Sequence, residues 1–317
     1  MAGELVPLDD PGTILRAAID VAANFAEAAK APNTLRGYAS DWRHFQTWCE
    51  SVNCRAIPAH PGQVAAYLGA LAAGGMRAKT LARRVTAIRH YHERAGFENP
   101  CAHAGVKQTL HGIRRSLGTA PRKKAALTAD LVAKVVKKIP SDLAGLRDRA
   151  LLLIGFAAAL RRSELVALDV ADIGRHPKGI VLTLRRSKTD QVGAGMLKAV
   201  PHGHKLKAVA ALDAWLAASK ISDGALFRGA RGSRVKQNRL CDKQVAGIVK
   251  KRCAAVGLDP ASFAGHSLRS GFITSASDAG AELAAIAKHA GHAKIDTTLG
   301  YVQVADAFRD HSGKKFL

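Results

Sequence analysis

An arginine follows the predicted end of a buried helix. Residues 142–160 are predominantly apolar, a pattern typical of a long buried helix, and Arg161 comes directly after them. A guanidinium in such surroundings requires an anion. That anion could be a bound phosphate, or it could be Glu164, three residues further along, in a purely structural ion pair. The pattern around Arg161 leaves both interpretations open.

Two imidazoles, a second guanidinium and a phenol follow in the C-terminal part of the chain. His266 and Arg269 are three positions apart, so a helix places both on one face. His292 and Tyr301 lie nine residues apart near the C-terminus. Each feature alone is weak, because a single tyrosine is far more often a packed aromatic. Together these groups could bind a phosphate and exchange protons with it.

Other kinds of site are not indicated. Residues 192–195 contain a G-x-G but lack a third glycine and a following helix start, which favours a hairpin loop over a dinucleotide site. Two histidine pairs, His202 with His204 and His289 with His292, have no cysteine or carboxylate at ligand spacing. The acidic cluster expected of a two-magnesium nuclease is not visible in the sequence. We therefore predict an active site with no metal and no cofactor.

The elements that must position these residues are mostly helices. Apolar residues recur at steps of three and four from Pro32 onward, where Pro-Asn-Thr supplies a helix start. β-Branched alternation predicts a strand over 180–184, with a partner strand over 196–201. The sequence thus predicts a mainly α chain with a small β-sheet. Helices are predicted over 32–49, 61–73, 79–95, 99–117, 128–139, 142–160, 205–219, 242–256, 267–279, 282–288 and 296–302.

Cations gather on the outer faces predicted for the first half of the chain. The helices over 32–49 and 79–95 carry arginines away from their apolar stripes. Such one-sided charge suits a phosphate-lined groove, and a merely solvated surface is the alternative. Residues 118–126 break the helical pattern with Gly and Pro and contain three consecutive cations, as expected of a linker lying against DNA. The candidate DNA contacts are Arg36, Arg43, Arg83, Arg84, Arg122, Lys123 and Lys124.

The composition favours a polyanionic partner. The formal net charge is +23, and both halves contribute, with 17 basic against 9 acidic residues up to Ala125 and 31 against 16 after it. Nucleic acid is the leading candidate. Five scattered cysteines without a CxxC pair fit neither a disulfide framework nor a zinc site. We also find no signal peptide and no apolar run of membrane-spanning length, so we expect a cytoplasmic protein without a membrane partner.

The succession Arg, Lys, HxxR, GH and Tyr resembles the tyrosine recombinase (phage integrase) family. Its members in this chain are Arg161, Lys188, His266, Arg269, His292 and Tyr301. Residues 33–49 are similar to the start of that family's helical core-binding domain, close to its Cre branch. Residues 185–191 resemble the family's β-hairpin lysine segment, and residues 265–269 resemble its central box. The resemblance covers the chain from about residue 32 to the C-terminus.

The resemblance implies a role for each of these residues. Tyr301 is the nucleophile that attacks a backbone phosphorus and forms a 3′-phosphotyrosine, and His266 is the candidate base. Lys188 is the general acid for the departing 5′-oxygen. Arg161, Arg269 and His292 bind the non-bridging oxygens of the phosphate. Glu164 orients these cationic side chains. Ala159 departs from the family pattern, which usually has glycine there. His292 departs only from the Cre branch, which often has tryptophan at this position, so the chain is closer to the wider family there. We expect Ala159 to be tolerated because alanine favours a helix.

The resemblance also implies an architecture. We expect a two-domain, C-shaped DNA clamp. Residues 1–31 form an N-terminal lead-in segment, and residues 32–117 form a helical, SAM-like core-binding domain. Residues 118–126 form a basic linker, and residues 127–317 form a mixed α/β catalytic domain. Only about thirty residues precede Pro32, so an additional N-terminal arm-binding domain is not expected.

Three hypotheses for the function remain. The first is site-specific recombination by a homotetramer on two double-stranded DNA sites, through a Holliday junction and without ATP or metal, with accessory proteins as optional partners. It would serve integration, excision or resolution in a nucleoid-associated bacterial, plasmid or phage setting. The second is a type IB topoisomerase, which lacks the tetramer-forming tail that the sixteen residues after Tyr301 could supply. The third is a catalytically silent DNA-binding regulator.

Overall fold

The computed structural model describes residues 11–28, 30–119, 124–185, 195–292 and 295–300 of the 317-residue chain. Internal contacts divide the chain into two compact units, residues 1–122 and 123–317. Among the described residues, no helix has the length and apolar character needed to cross a bilayer.

The first unit is helical. A core with Phe45, Tyr67 and Leu81 at its centre is fully buried between the helices. His60 begins α3 (Pro61–Ala73) by accepting a hydrogen bond from the Gly62 N–H. A short 3-10 turn over Pro100–Ala102 precedes α5 (Ala104–Leu117). The sequence predicted the last four of these helices, with ends that differ by at most five residues from those of the structure. Their bounds are α1 Pro11–Ala28, α2 Pro32–Ser51, α3 Pro61–Ala73, α4 Ala78–Arg94 and α5 Ala104–Leu117.

The second unit packs eight described helices around a larger core. Helix α7 (Leu143–Ala157) is central to it. Trp215 of α9 (Ala208–Ser219) is fully buried and donates its indole N–H to the Leu226 carbonyl at 2.9 Å. Asp142 begins α7 by accepting a hydrogen bond from the Gly145 N–H. The helix bounds are α6 Ala129–Lys137, α7 Leu143–Ala157, α8 Arg162–Ala167, α9 Ala208–Ser219, α10 Asp242–Ala254, α11 Ser267–Asp278, α12 Leu283–Ala290 and α13 Ile295–Leu299.

Two small antiparallel sheets belong to the second unit. Strands β1 (Ile173–His176), β2 (Gly179–Leu184) and β3 (Met196–Pro201) pair in that order, which confirms the two predicted strands. Strands β4 (Arg228–Arg231) and β5 (Arg234–Arg239) form a separate hairpin. The prediction that the chain beyond β3 is mainly helical omitted this hairpin. Its strands are dominated by arginine and lysine and lack the apolar alternation that marks a half-buried strand.

The end of α7 differs from the prediction in a way that bears on the site. The helix ends at Ala157 rather than at residue 160, and Ala159 has a left-handed backbone with φ of 50°. The Leu160 N–H donates to the Gly155 carbonyl and the Ala159 N–H to the Phe156 carbonyl, the bonding pattern of a Schellman helix end. Glycine is the preferred residue at such a position. We expected Ala159 to be tolerated because alanine favours a helix. That reason is wrong, because Ala159 lies outside the helix in a conformation that favours glycine.

Candidate active site

Arg161 and Glu164 form a close pair at the start of α8. The Glu164 carboxylate accepts two hydrogen bonds from Arg161, one from the backbone N–H at 2.8 Å and one from Nη1 at 2.6 Å. Glu164 is only 4% exposed, so little water competes for its oxygens. The structural ion pair that the sequence left as an alternative is present. The same contact fixes the direction in which the Arg161 guanidinium points.

Arg269 connects α11 to the turn that precedes Arg161. Its side chain is 1% exposed, and Nη1 donates to the Ala159 carbonyl at 2.8 Å. Ala159 presents this carbonyl because its left-handed backbone ends α7 two residues before Arg161. The end of one helix therefore positions both arginines.

His266 lies immediately before α11, next to the start of α8. At Gly265, a Cβ atom would lie 2.2 Å from Cδ of Arg162, so only glycine lets the Arg162 side chain cross the backbone there. Gly155 allows an equally close approach in the core, because a Cβ would lie within 3.0 Å of Leu165 and Leu268. These two glycines explain how helices α7, α8 and α11 come near enough to share one site.

His292 follows the C-terminal end of α12. Gly291 has a φ of 70°, and a Cβ on it would lie 3.0 Å from Cε of Met196 on β3, so both the backbone and the packing require glycine. Nδ1 of the His292 ring and the Thr298 hydroxyl of α13 share a hydrogen bond of 2.8 Å. This bond links His292 to the short helix that directly precedes Gly300 and Tyr301.

The electrostatics place both imidazoles among the arginines. Burial lowers the pKa of His266, and the charges of Arg269 and Arg161 lower it further, whereas Glu164 acts in the opposite direction. Burial likewise lowers the pKa of His292 to about 4, with Arg269 and Arg161 again contributing. Both rings are therefore neutral near pH 7, so His266 can accept a proton and the neutral His292 ring still has one N–H to donate.

Two residues of this cluster were missed by the sequence. Lys198 on β3 is 2% exposed and donates from Nζ to the His289 carbonyl. The His289 ring bonds through Nε2 to the Ala157 carbonyl at 2.9 Å and stacks on Phe272 with ring centroids 4.5 Å apart. The alternation of β3 was a usable signal, because Lys198 shares the inward face with Val200.

Four predicted site residues lie outside the described residues: Lys188, Tyr301, Arg122 and Lys123. The chain on either side of Lys188 is described. It leaves β2 at Leu184 and rejoins the sheet at Met196, and Arg185 forms ion pairs with Asp172 at 2.9 Å and Asp169 at 3.3 Å.

The predicted basic face of the first unit needs one correction. Arg83 is exposed, and two of its nitrogens bind the buried Asp41 carboxylate at 2.7 and 2.9 Å. Arg84 is only 8% exposed, and its Nη1 donates to the Tyr67 hydroxyl. The prediction that Arg84 lies on the same outer face as Arg83 is therefore wrong, because this position of α4 packs inward.

The other described cations that were predicted to contact DNA are at the surface. Arg36 and Arg43 are exposed, and Arg36 donates to the Asn33 side chain at 2.6 Å. Lys124 is also exposed, and its Nζ donates to the Ala261 carbonyl at 2.6 Å. These side chains remain candidates for DNA contact.

The sequence matches two families. Residues 125–307 match the phage integrase family, and residues 25–98 match the phage integrase N-terminal SAM-like domain. The integrase/recombinase xerD homolog of Selenomonas ruminantium is 37% identical over 90% of this chain and 86% of its own length. Recombinase cre of Escherichia phage P1 is 24% identical over 88% of this chain and 86% of its own length.

The fold agrees with these matches. The integrase of transposon Tn1549, solved in complex with transposon right end DNA, superposes with a TM-score of 0.59 at 18% identity and covers 91% of this chain and 95% of that one. At this identity the likeness shows the fold alone. The predicted combination of a SAM-like helical domain and a mainly α catalytic domain with a small sheet is confirmed. The chain belongs to the phage integrase family and is a tyrosine recombinase, an enzyme of site-specific recombination.

Proposed function

We propose that this chain binds double-stranded DNA at recombination sites and exchanges strands through a 3′-phosphotyrosine on Tyr301. The single observation that carries the proposal is the joining of Arg161 and Arg269 through the Ala159 turn. Two guanidiniums held by one helix end, beside two neutral imidazoles, form a site that fits a phosphodiester. The net charge of +23 and the exposed Arg36, Arg43 and Arg83 support duplex DNA as the ligand.

The proposed cleavage step begins with the phenol of Tyr301. A free phenol has a pKa of about 10, so the hydroxyl must lose its proton as the oxygen attacks phosphorus. His266 is neutral and takes that proton, while the charges of the arginines stabilise the developing phenolate. The new bond joins Tyr301 to the 3′-phosphate, and the bond from phosphorus to the 5′-oxygen breaks. Lys188 gives the departing oxygen its proton.

The charge that builds up in this transition state lies on the non-bridging oxygens. Arg161 and Arg269 remain charged at any working pH and can each donate two hydrogen bonds to these oxygens. His292 contributes a further hydrogen bond. Glu164 acts indirectly, by holding the Arg161 guanidinium in place. Because the arginines supply the positive charge, we propose that the step needs no metal.

The phosphotyrosine retains the free energy of the broken phosphodiester. Attack by a 5′-hydroxyl from a partner strand therefore rejoins the DNA without ATP, and two rounds of exchange pass through a Holliday junction. We propose that four copies act on two sites, because two duplexes have four strands to be cut over the two rounds and each strand needs its own Tyr301. The residues after Tyr301 that we predict to join the subunits lie outside the described residues.

The experiment that tests the proposal uses a nicked suicide duplex. Its binding site is first selected by the purified protein from a random DNA pool. With the label at the 5′ end of the cleaved strand, we expect an SDS-resistant protein adduct to form in the presence of EDTA. With the label at the 3′ end, we expect a free fragment that carries a 5′-hydroxyl. Attachment of the 3′-labelled fragment, or loss of cleavage in EDTA that added metal restores, would contradict the proposed chemistry.

A further inference from the structure

A buried lysine that the proposed mechanism does not use lies next to the site. Lys198 is on β3, opposite Leu182 of β2, and only 2% of it is exposed. Burial of an ammonium is costly unless its hydrogen bonds are satisfied. A methionine would fill similar space without that cost, so the lysine requires a specific explanation.

The partner of Lys198 belongs to the segment that carries His292. Its Nζ donates to the backbone carbonyl of His289, in the last turn of α12. Carbonyls at the end of a helix lack partners within the helix and carry partial negative charge, so a cation is favourable there. A Cβ on Gly291 would lie 3.9 Å from the same Nζ. Lys198 thus lies against the turn that ends α12 and leads to His292.

The other side of this contact is the sheet whose strands β2 and β3 come before and after the proposed general acid along the chain. Strands β2 and β3 are joined by the segment that carries Lys188. Met196 and Lys198 point to the same side of β3, and both approach Gly291. The first residues of β3 therefore support the turn before His292, while the preceding segment carries Lys188.

We propose that Lys198 is a positioning residue of the recombinase site, a buried cation that fixes the turn bearing His292 against the strand that follows Lys188. This inference rests on the proposed function. Its effect is to hold the His292 imidazole in place against β3 while DNA is bound. It acts through the His289 carbonyl, and no contact of Lys198 with the DNA is required.

The charge of Lys198 responds to the groups around it. Arg161 and Glu164 at the start of α8 and Arg269 of α11 change its pKa. In turn, its charge lowers the pKa of His289 in α12 and of His292 just after α12. Burial lowers the pKa of Lys198 to about 8; Arg269 and Arg161 also lower it, and Glu164 raises it. The ammonium therefore fixes the turn below about pH 8 and loses its charge above that pH.

The test compares the wild-type chain with Lys198→Met and Lys198→Arg. The control is Leu197→Ala, whose side chain is exposed on the outward face of the same strand. On the suicide duplex at pH 7, we expect Lys198→Met to cleave at least tenfold more slowly with DNA affinity within twofold of wild type. Lys198→Arg should recover part of the lost rate, and the control should match wild type.

The pH dependence separates positioning from simple structural support. The ratio of the wild-type rate to the Lys198→Met rate should be largest below pH 8 and should narrow above it. In NMR spectra of the DNA-free protein, the ring signals of His289 and His292 should differ between wild type and Lys198→Met. This measurement tests the inference even if cleavage is slow. Equal cleavage rates and unchanged ring signals would overturn the inference alone. Failure of the wild-type chain to form any adduct would instead overturn the proposed function, and this inference with it.

Discussion

Arg269 donates a hydrogen bond from Nη1 to the backbone carbonyl of Ala159 at 2.8 Å, and Ala159 is the left-handed residue that ends α7 two positions before Arg161. This contact ties the two arginines of the site to one turn. An L-residue in the left-handed region costs roughly 1–2 kcal/mol relative to glycine. The turn therefore holds backbone strain at the place where the site is assembled.

The first prediction concerns this strain. Ala159→Gly and Ala158→Gly each remove a fully buried methyl group and add freedom to the unfolded chain. Ala158 has an ordinary φ of −91°, so replacing it by glycine relieves no backbone strain. We expect Ala159→Gly to be more stable than Ala158→Gly by about 1 kcal/mol in urea unfolding. Equal stabilities would mean that Ala159 is not strained.

A second prediction concerns Glu164. Its carboxylate raises the pKa of His266, opposing the arginines. Glu164→Gln removes the negative charge while keeping the side-chain size, so the pKa of His266 should fall further. An NMR titration of the His266 ring in both proteins measures this shift. Cleavage should also slow, because the Arg161 guanidinium loses its charged partner. A pKa of His266 that rises or stays the same would contradict the proposed arrangement.

The third prediction concerns the stability of the folded chain in acid. The pKa of His266 and that of His292 are lowered in the folded state, so the unfolded chain binds more protons below pH 6.5. For His292, this contribution to the free energy of unfolding is present above pH 6.5 and is lost as the pH falls toward about 4. The lowered pKa of His266 acts in the same direction. The melting temperature should therefore fall less steeply with acid in His292→Gln. His202→Gln at an exposed position is the matched control, and identical slopes in all three proteins would contradict the prediction.

A fourth prediction uses the neighbouring arginines of α4. Arg84 is buried against Tyr67 and near Asp41, so Arg84→Ala should cost about 3 kcal/mol of stability. Arg83 is mostly exposed, so Arg83→Ala should cost only about 1 kcal/mol. If Arg83 contacts a phosphate, its loss should also flatten the salt dependence of DNA binding by about one unit. Urea unfolding and a salt series of DNA binding measure the two effects. If Arg83→Ala instead caused the larger loss of stability and Arg84→Ala flattened the salt dependence, α4 would be oriented differently.

Regular periodicity made most of the fold predictable. The stripe through Leu81 and Ile88 was enough to predict α4, and β-branched alternation was enough to predict β2. The sequence could not reveal that Arg84 is buried, because its partners Tyr67 and Asp41 come from two other helices. Arginine is normally exposed, so periodicity alone assigned it to the wrong face.

The residue types of the candidate site could be predicted from the sequence, but the contacts that arrange them could not. The resemblance identified Arg161, His266, Arg269 and His292, whose charges act on one another in the structure. Lys198 was missed, because only the pairing of β3 and the approach of α12 show that it points inward. The left-handed Ala159 was missed for a related reason, since helix propensity gives no warning of a Schellman turn.

The most direct test of the claim that Tyr301 is the nucleophile is a variant that lacks a single oxygen atom. Tyr301→Phe keeps the ring and removes the hydroxyl that is proposed to attack phosphorus. On the selected suicide duplex, Tyr301→Phe should bind with the affinity of the wild-type chain and form no SDS-resistant adduct. Tyr91→Phe, which alters a tyrosine stacked on Trp42 in the first unit, should form the adduct normally. An adduct that persists in Tyr301→Phe would show that another residue is the nucleophile.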